Sequence, residues 1–259
     1  MPRVAALLAV FLLLSCSHTP PPAPEPPDSA VASAAIEAAV AHPGRPGVDT
    51  IRDATRKPVE VLKFFGIRPG MRVLDVFAGG GYYSEILNHV VGENGQVTLY
   101  NNGGWAGYAG AGLDRRLANN RLPNVVNMVA ETDATRFEPA SYDAALFILG
   151  FHDLYYVDTG WPAIDADQFI AALHAAIKPG GMLGIIDHNA VSGADINTAN
   201  TLHRIDPAII QQKLLAAGFI LEGSSNLLRN PEDDRLKPMG DPSIRGRTDR
   251  VVQRYRKST

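Results

Sequence analysis

An α/β chain with a doubly wound, mostly parallel sheet of seven strands and an antiparallel last strand is the fold class this sequence predicts. Three observations predict it. Short apolar runs alternate with stretches of helical spacing through most of the chain, the pattern of parallel strands covered on both faces. One such run, in RVLDVFAGGGYYSEIL (72–87), passes straight through three glycines into a helix. The last two apolar runs, FILEGSS and RVVQRYR, can form an antiparallel pair.

Taken in order, residues 29–41 are alanine-rich and read as a short helix, and HPGRPGVDTIRDATRKP as a polar stretch punctuated by proline and glycine. Val59, Leu62 and Phe65 recur at helical spacing, so a helix is expected over 58–66, stopped by GIRPG. RVLDVF is a buried strand, YYSEILNHV a helix, GENG a turn and QVTLY the second strand. NNGGWAGYAGAG reads as a glycine-rich loop, LDRRLANNR as helical, and VVNMVA and YDAALFIL as strands. Asp165 or Asp167 can cap a helix running to about Ile177, ended by KPGG before the strand MLGIID. Asp206 followed by Pro207 marks another helix start, and that helix ends near AAGF.

The chain has 259 residues, enough for one domain with a real core. A formal net charge of −3, with no long basic run, argues against nucleic acid or another polyanion as partner. Arg3 and the apolar run Ala5–Leu14 have the form of a signal-peptide core and are too short to span a bilayer. The run ends in LLSC, which resembles the lipobox of bacterial lipoproteins. That resemblance implies cleavage before Cys16 and lipidation of its thiol; a plain signal peptide with an incidental cysteine is the other reading. Cys16 is the only cysteine, so no disulfide forms within the chain. SHTPPPAPEPPDS then reads as an extended spacer. The expected division is a signal peptide over 1–15, a lipidation site and tether over 16–44, and a folded domain over 45–259. The expected location is the bacterial cell envelope, with the domain in the periplasm and the lipid as its sole membrane contact.

Ligands of an open parallel sheet sit beyond the carboxyl ends of the strands, where FAGGG lies. Glycine lets a ligand approach bare backbone, and the following helix offers free N–H groups. A dinucleotide site wants G-x-G-x-x-G, and Gly79 to Ser84 places serine in the last slot. DVFAGGG resembles instead D-x-x-x-G-x-G, the first motif of class I S-adenosylmethionine-dependent methyltransferases. By that resemblance Asp75 holds the amino-acid end of the cofactor, with Ala78, Gly79, Gly80 and Gly81 around it. Asp133 in ETDAT, with Ala134 beside it, matches the acid placed against the adenine amino group. SYDAALFILGFHDLYY and IKPGGMLGIID resemble the fourth strand and the entry to the fifth. RDATRKP, LHRID, LLRNPEDD and IRGRTDR resemble a subgroup of exported methyltransferases. The resemblance covers roughly residues 45–257 and implies the Rossmann-like methyltransferase fold. One position departs from it. The ribose-clamping acid at the end of the second strand is replaced by Asn101, an amide with one acceptor atom and no charge.

His152 and Asp153 follow the fourth strand, which in this fold faces the transferable methyl group. A histidine there either takes a proton from the acceptor or simply hydrogen-bonds the loop. Asp187 and His188 end the fifth strand in a similar place. His203 and Arg204 in LHRID either orient an anionic substrate or form a structural pair. Asp49 with Arg52, and Asp53 with Lys57, are spaced for pairs within a helix; the segment is either a solvated face or a lid with Arg52 or Arg56 reaching inward. Trp105, Tyr108, Tyr155 and Tyr156 flank the expected mouth and either stack on a substrate or pack its rim. No metal is expected: His152, Asp153, His188 and His203 lack a tight ligand spacing such as H-E-x-x-H.

The resemblance implies methyl transfer from S-adenosylmethionine to a small-molecule or envelope acceptor, with His152, Asp153 and His188 as candidate catalytic residues and Arg52, His203 and Arg204 as candidate substrate residues. S-adenosylmethionine is made in the cytoplasm, which stands against an export signal. The alternative is a non-catalytic, ligand-binding envelope lipoprotein that retains the fold, favoured by Asn101. An NAD-type oxidoreductase is disfavoured by Asp75 and Ser84.

Overall fold

In the computed structural model, which describes residues 27–259, the apolar runs become strands of a single sheet. The chain runs α1 (Pro27–Val40), α2 (Gly47–Thr50), α3 (Asp53–Arg56), α4 (Pro58–Phe65), β1 (Arg72–Val76), α5 (Tyr82–Val91), β2 (Gln96–Asn101), α6 (Gly103–Leu117) and β3 (Val125–Val129). It continues with β4 (Tyr142–Ile148), α7 (Ala166–Ala176), β5 (Ile177–His188), α8 (Thr198–Leu202), α9 (Pro207–Ala216), β6 (Phe219–Ser224) and β7 (Arg250–Lys257). The expected signal peptide, Cys16 and the proline-rich stretch up to residue 26 lie outside the described residues.

The strand order is β3-β2-β1-β4-β5-β7-β6. All pairs from β3 to β5 are parallel, and β7 runs antiparallel between β5 and β6. The order reverses direction between β1 and β4, which puts the switch point beside the glycine turn that leaves β1.

Side-chain alternation along β1 divides the core. Leu74 and Val76 join the layer holding Phe169, Leu173, Ile210 and Leu214 of α7 and α9. Val73 faces the opposite layer, with Ile36 of α1, Leu62 and Phe65 of α4, and Ile86 and Leu87 of α5. Asp75 shares the face of Val73 and therefore points toward α5.

Several expectations need correction. NNGGWAGYAGAG is not a loop: all of it past Asn102 lies in α6, started by the Asn102 side chain, which accepts a hydrogen bond from Trp105 N. Five glycines hid this helix, and Leu113 is its one buried residue. The folded body begins earlier than 45, because α1 buries Ile36 and Ala39 in the core. KPGG is strand rather than helix stop, since β5 already starts at Ile177. The two expected N-caps are present: Asp165 accepts from Gln168 N, and Asp206 from Ala208 N.

Candidate active site

Asp75, the fourth residue of β1, is 3% exposed. Its Oδ2 accepts a hydrogen bond from Ser84 Oγ at 2.6 Å. Burial pushes its carboxyl up to about 7, with the Ser84 bonds pulling the other way. Ser84, which broke the dinucleotide pattern, is thus the partner of the strand acid.

The turn beyond it is tight. Gly79 and Gly81 have φ of +56° and +78°, a region that glycine enters without strain. Asn101 holds this turn: its Oδ1 accepts from Gly79 N at 2.8 Å and its Nδ2 donates to Gly79 O at 3.0 Å. The amide is fully buried and committed to backbone, so the ribose contact that its position implied is not what this side chain makes. A carboxylate could not replace it, because the turn needs one donor and one acceptor.

A cavity of about 160 Å³ opens between the turn and the N-terminal segment, lined by Asp75, Ala78, Gly79, Gly80, Arg52 and Arg56 among others. Gly81 lies behind it, packed by Arg116 and Leu99. Arg56 is half-buried, with its guanidinium carbon 4.5 Å from the centre of the Tyr82 ring. Its guanidinium has neither a hydrogen bond nor an ion pair among the described residues. Burial lowers its pKa, with the Arg52 charge adding to the effect. Arg52 pairs with Asp49 at 3.3 Å, as its spacing predicted. Asp53 does not pair with Lys57: it takes both guanidinium nitrogens of Arg45, at 2.7 and 2.8 Å, and the Tyr82 hydroxyl at 2.5 Å. Lys57 instead donates to Leu227 O. Arg116 of α6 bonds Gly80 O and Asp49 at 2.6 Å each, and pairs with Glu85. These contacts fasten residues 45–56 over the turn as a lid.

A second cavity, of about 320 Å³, lies next to the first. Trp105, Tyr108, Tyr156, Trp161, Leu149 and Met239 make its walls, and His152, Asp153 and His203 its polar end. Trp105 and Leu149 line both cavities, so they separate the two. The Trp105 ring packs over Gly79, where an added Cβ would approach to 3.1 Å, and its indole N–H finds no acceptor among the described residues.

His152 is 2% exposed. Its backbone N–H donates to Asp187 Oδ2 at 2.8 Å, and its Nδ1 lies 2.7 Å from Asp187 Oδ1. Its Nε2 is 3.2 Å from Asp153 Oδ1. Burial opposes its charge, but the Asp187 and Asp153 carboxylates outweigh burial and push the imidazole up to about 9. Both ring nitrogens face carboxylates, Nδ1 that of Asp187 and Nε2 that of Asp153, so the ring is held in place at the polar end of the cavity. Asp153 Oδ2 is buried and has no partner among the described residues.

Other expected site residues fall elsewhere. His188 is buried, its Nδ1 lies 2.6 Å from Thr248 Oγ1, and it lines neither cavity. Burial, with the nearby Arg250 charge, pushes its pKa well below the usual value. Arg204 is fully buried, bonded twice to Asp233 at 2.8 and 3.0 Å and to the carbonyls of Asn189 and Lys237. Its bonds are structural, and it lines neither cavity. Asp133 and Ala134 are exposed; Asp133 lines a cavity of about 300 Å³ that shares no wall residue with that of Asp75. The largest cavity described, about 650 Å³, lies at the opposite end of the strands, where β4 and β5 begin, beside Arg68, Lys178 and Arg256, away from where doubly wound folds bind ligands.

Sequence reasoning missed the Arg116–Glu85–Arg121 cluster and the dividing role of Trp105. No spacing rule pointed to either, since each depends on how α6 lies over the turn.

Residues 54–147 match the protein-L-isoaspartate(D-aspartate) O-methyltransferase family. The chain is similar to ubiquinone/menaquinone biosynthesis C-methyltransferases: 30% identical over 179 residues to that of Shewanella piezotolerans (67% of this chain, 66% of the relative), and 24% over 180 residues to that of Teredinibacter turnerae (69% and 68%). The match spans about two thirds of each relative's length. In fold it resembles a SAM-dependent methyltransferase from Aquifex aeolicus, with a TM-score of 0.57 and 21% identity over 79% of this chain and 92% of that one. It also resembles phosphoethanolamine N-methyltransferase 2 of Haemonchus contortus in complex with S-adenosyl-L-methionine, with a TM-score of 0.56 and 17% identity over 79% of this chain and 53% of that one. A buried strand-end acid before a bare-backbone turn, in a sheet of this order and with these relatives, makes the chain a member of the class I S-adenosylmethionine-dependent methyltransferases, with S-adenosylmethionine as its cofactor.

Proposed function

We propose that this protein transfers a methyl group from S-adenosylmethionine to a ring-bearing small acceptor held in the aromatic cavity beside His152 and Asp153. The observation that carries the reading is the pairing of the two cavities. One holds opposite charges for the amino-acid end of the cofactor, the other is aromatic with a polar end, and Trp105 and Leu149 are common to both.

The residues of the first cavity fit the amino-acid end. Asp75 supplies a carboxylate for an ammonium, and a cation beside it favours the ionised form. Arg56 supplies an unpaired guanidinium for a carboxylate, already stacked on Tyr82. Gly79 and Gly80 leave the backbone open. At about 160 Å³ the cavity is smaller than the roughly 300 Å³ at the low end of ordinary ligand sites, so Trp105 has to leave Gly79 before the nucleoside end is accommodated. When bound, the cofactor supplies an electrophilic methyl on a sulfonium centre.

The chain's own part is alignment and desolvation, and a well-oriented pair of reactants gains several kcal/mol from alignment alone, about 7 or more in favourable cases. Aromatic walls hold a planar acceptor and exclude water. Asp153, at the polar end of the cavity, marks where the acceptor's O–H or N–H points. His152, fixed by Asp187, holds Asp153 in place. The related proteins' names place them in quinone biosynthesis, which agrees with a ring-bearing acceptor. The non-catalytic alternative drew part of its support from Asn101, and the role of that amide in the turn removes this part.

The test is transfer of labelled methyl to a panel of phenols and quinols set against aliphatic alcohols and amines. Labelling confined to the ring compounds, and lost in Asp153→Asn, is expected. No transfer to any member, or transfer to aliphatic amines alone, contradicts the proposal. The leader MPRVAALLAVFLLLSC further supports an exported, lipid-anchored protein. Mass spectrometry of the mature N-terminus checks this: a thioether-linked lipid on Cys16 is expected, and an unmodified Cys16 removes the anchor.

A further inference from the structure

The polar end of the aromatic cavity has the makings of a cation site. His152, Asp153 and His203 each offer one ligand atom, and these atoms lie within 4.8 Å of one another. The individual separations of 3.2 Å (His152 Nε2 to Asp153 Oδ1) and 3.8 Å (His203 Nδ1 to Asp153 Oδ1) are close to those of ligands sharing one ion. We propose that His152, Asp153 and His203 bind one first-row divalent cation of the zinc class, with its remaining coordination positions open to the aromatic cavity.

Three observations carry this. First, the ligand set is preorganised from behind. Asp187 receives both the backbone N–H and the Nδ1 side of His152, which fixes the ring and leaves Nε2 facing Asp153. A carboxylate behind a histidine is the usual support of a metal-bound imidazole, since it sets the tautomer and raises basicity. Second, Asp153 is 5% exposed, and its Oδ2 has no partner among the described residues although it lines the cavity. A buried carboxylate oxygen left unsatisfied carries a desolvation penalty that a bound cation removes. Third, the ligands sit at the wall of a cavity of about 320 Å³, so an ion there keeps positions for water or an exogenous ligand. Three protein ligands plus open positions is the form of catalytic, not closed structural, sites.

Two imidazoles with one carboxylate select a borderline first-row ion over Mg²⁺ or Ca²⁺, which take mainly oxygen ligands. The backbone contributes as well. His203 has φ of +50°, a left-handed conformation uncommon for a residue other than glycine, at the end of α8. That geometry places its ring 4.5 Å from Tyr156 and 5.4 Å from His152. Sequence spacing did not reveal the set, because His203 comes from a different element than the adjacent pair 152–153.

The cation site stands on these side chains alone. Only its part in catalysis rests on the function proposed above: an ion there would draw the acceptor's oxygen to the polar end of the cavity and favour its deprotonated form.

Tag-free full chain, stripped with a chelator and dialysed against Zn²⁺ or Mg²⁺, is analysed by elemental mass spectrometry and by competition with a metal-binding dye. One Zn²⁺ retained per chain, without retained Mg²⁺, is expected. His203→Ala is partly exposed and leaves the core intact; it is expected to lower Zn²⁺ affinity at least tenfold, and the supporting variant Asp187→Asn by 10- to 100-fold. His42→Ala, in a stacked histidine pair remote from the cavity, keeps wild-type affinity. Circular dichroism confirms folding of each variant. No stoichiometric Zn²⁺, or Zn²⁺ bound equally by wild type, His203→Ala and Asp153→Asn, overturns the proposal. Calorimetry with S-adenosylhomocysteine on the same samples separates the two ideas: cofactor binding without Zn²⁺ removes the cation site alone, and Zn²⁺ without cofactor binding removes the methyltransferase reading alone.

Discussion

Asp75 answers to two opposing demands. A ligand ammonium wants it charged, whereas its burial favours the neutral acid and lifts its pKa to about 7 from an ordinary 3.8. The folded protein therefore holds this proton more tightly than the unfolded chain does, and stability falls as pH rises from about 4 to about 7. Asp75→Asn removes the titration: thermal unfolding across that window should be flat for the variant at this site, with a gain of up to about 4 kcal/mol at pH 8 and a loss of cofactor affinity. Arg56 poses a simpler case. Without an ion pair to lose, Arg56→Met should leave the melting temperature nearly unchanged and weaken cofactor binding roughly ten- to hundredfold, the worth of a charged hydrogen bond of about 1.5–3 kcal/mol. At this scale the sequence was legible where a motif fixes position, as for Asp75 and Gly79. It was misleading where a side chain's partner decides its role. Asn101 binds backbone, Arg204 binds Asp233, and His188 lies beside Thr248, none of which spacing can show.

Helix α6 is the element that decides access. Its C-terminal end is tied by Arg116 to Gly80, Asp49 and Glu85, whereas its first ten residues carry Trp105 and five glycines that weaken any helix. The proposed function requires this part of the helix to yield, because Trp105 covers Gly79. Gly107 and Gly110 have open space at the position of a Cβ. The double substitution Gly107→Ala and Gly110→Ala should therefore stabilise the protein by about 0.5–1 kcal/mol per site and, by holding α6 closed, slow cofactor binding in stopped-flow fluorescence. Glycine density made this stretch read as a loop. The helix exists because Asn102 caps it and Leu113 and Arg116 anchor its far end, information that lies in tertiary contact, not in propensity.

At the scale of the whole molecule, a doubly wound, mostly parallel sheet with an antiparallel last strand was readable from alternating strand and helix signals, whereas the strand order and the switch point between β1 and β4 lie in tertiary packing. The stretches LHRID, LLRNPEDD and IRGRTDR, remote in sequence, meet in one buried network: Arg204 with Asp233, and Asp249 with Arg229 and Arg235. This network shapes the long connection between β6 and β7, which brings Met239 to the aromatic cavity. Asp233→Asn leaves the buried Arg204 charge uncompensated and should lower unfolding stability in urea by about 3–5 kcal/mol, with cofactor affinity of the folded protein unchanged. Cofactor binding rests on the charge pair that faces the glycine turn. Isothermal titration of the purified protein with S-adenosylhomocysteine tests it most directly: one saturable site per chain, lost in Asp75→Ala and weakened in Arg56→Met, is predicted, and absence of binding, or binding indifferent to both substitutions, would contradict it.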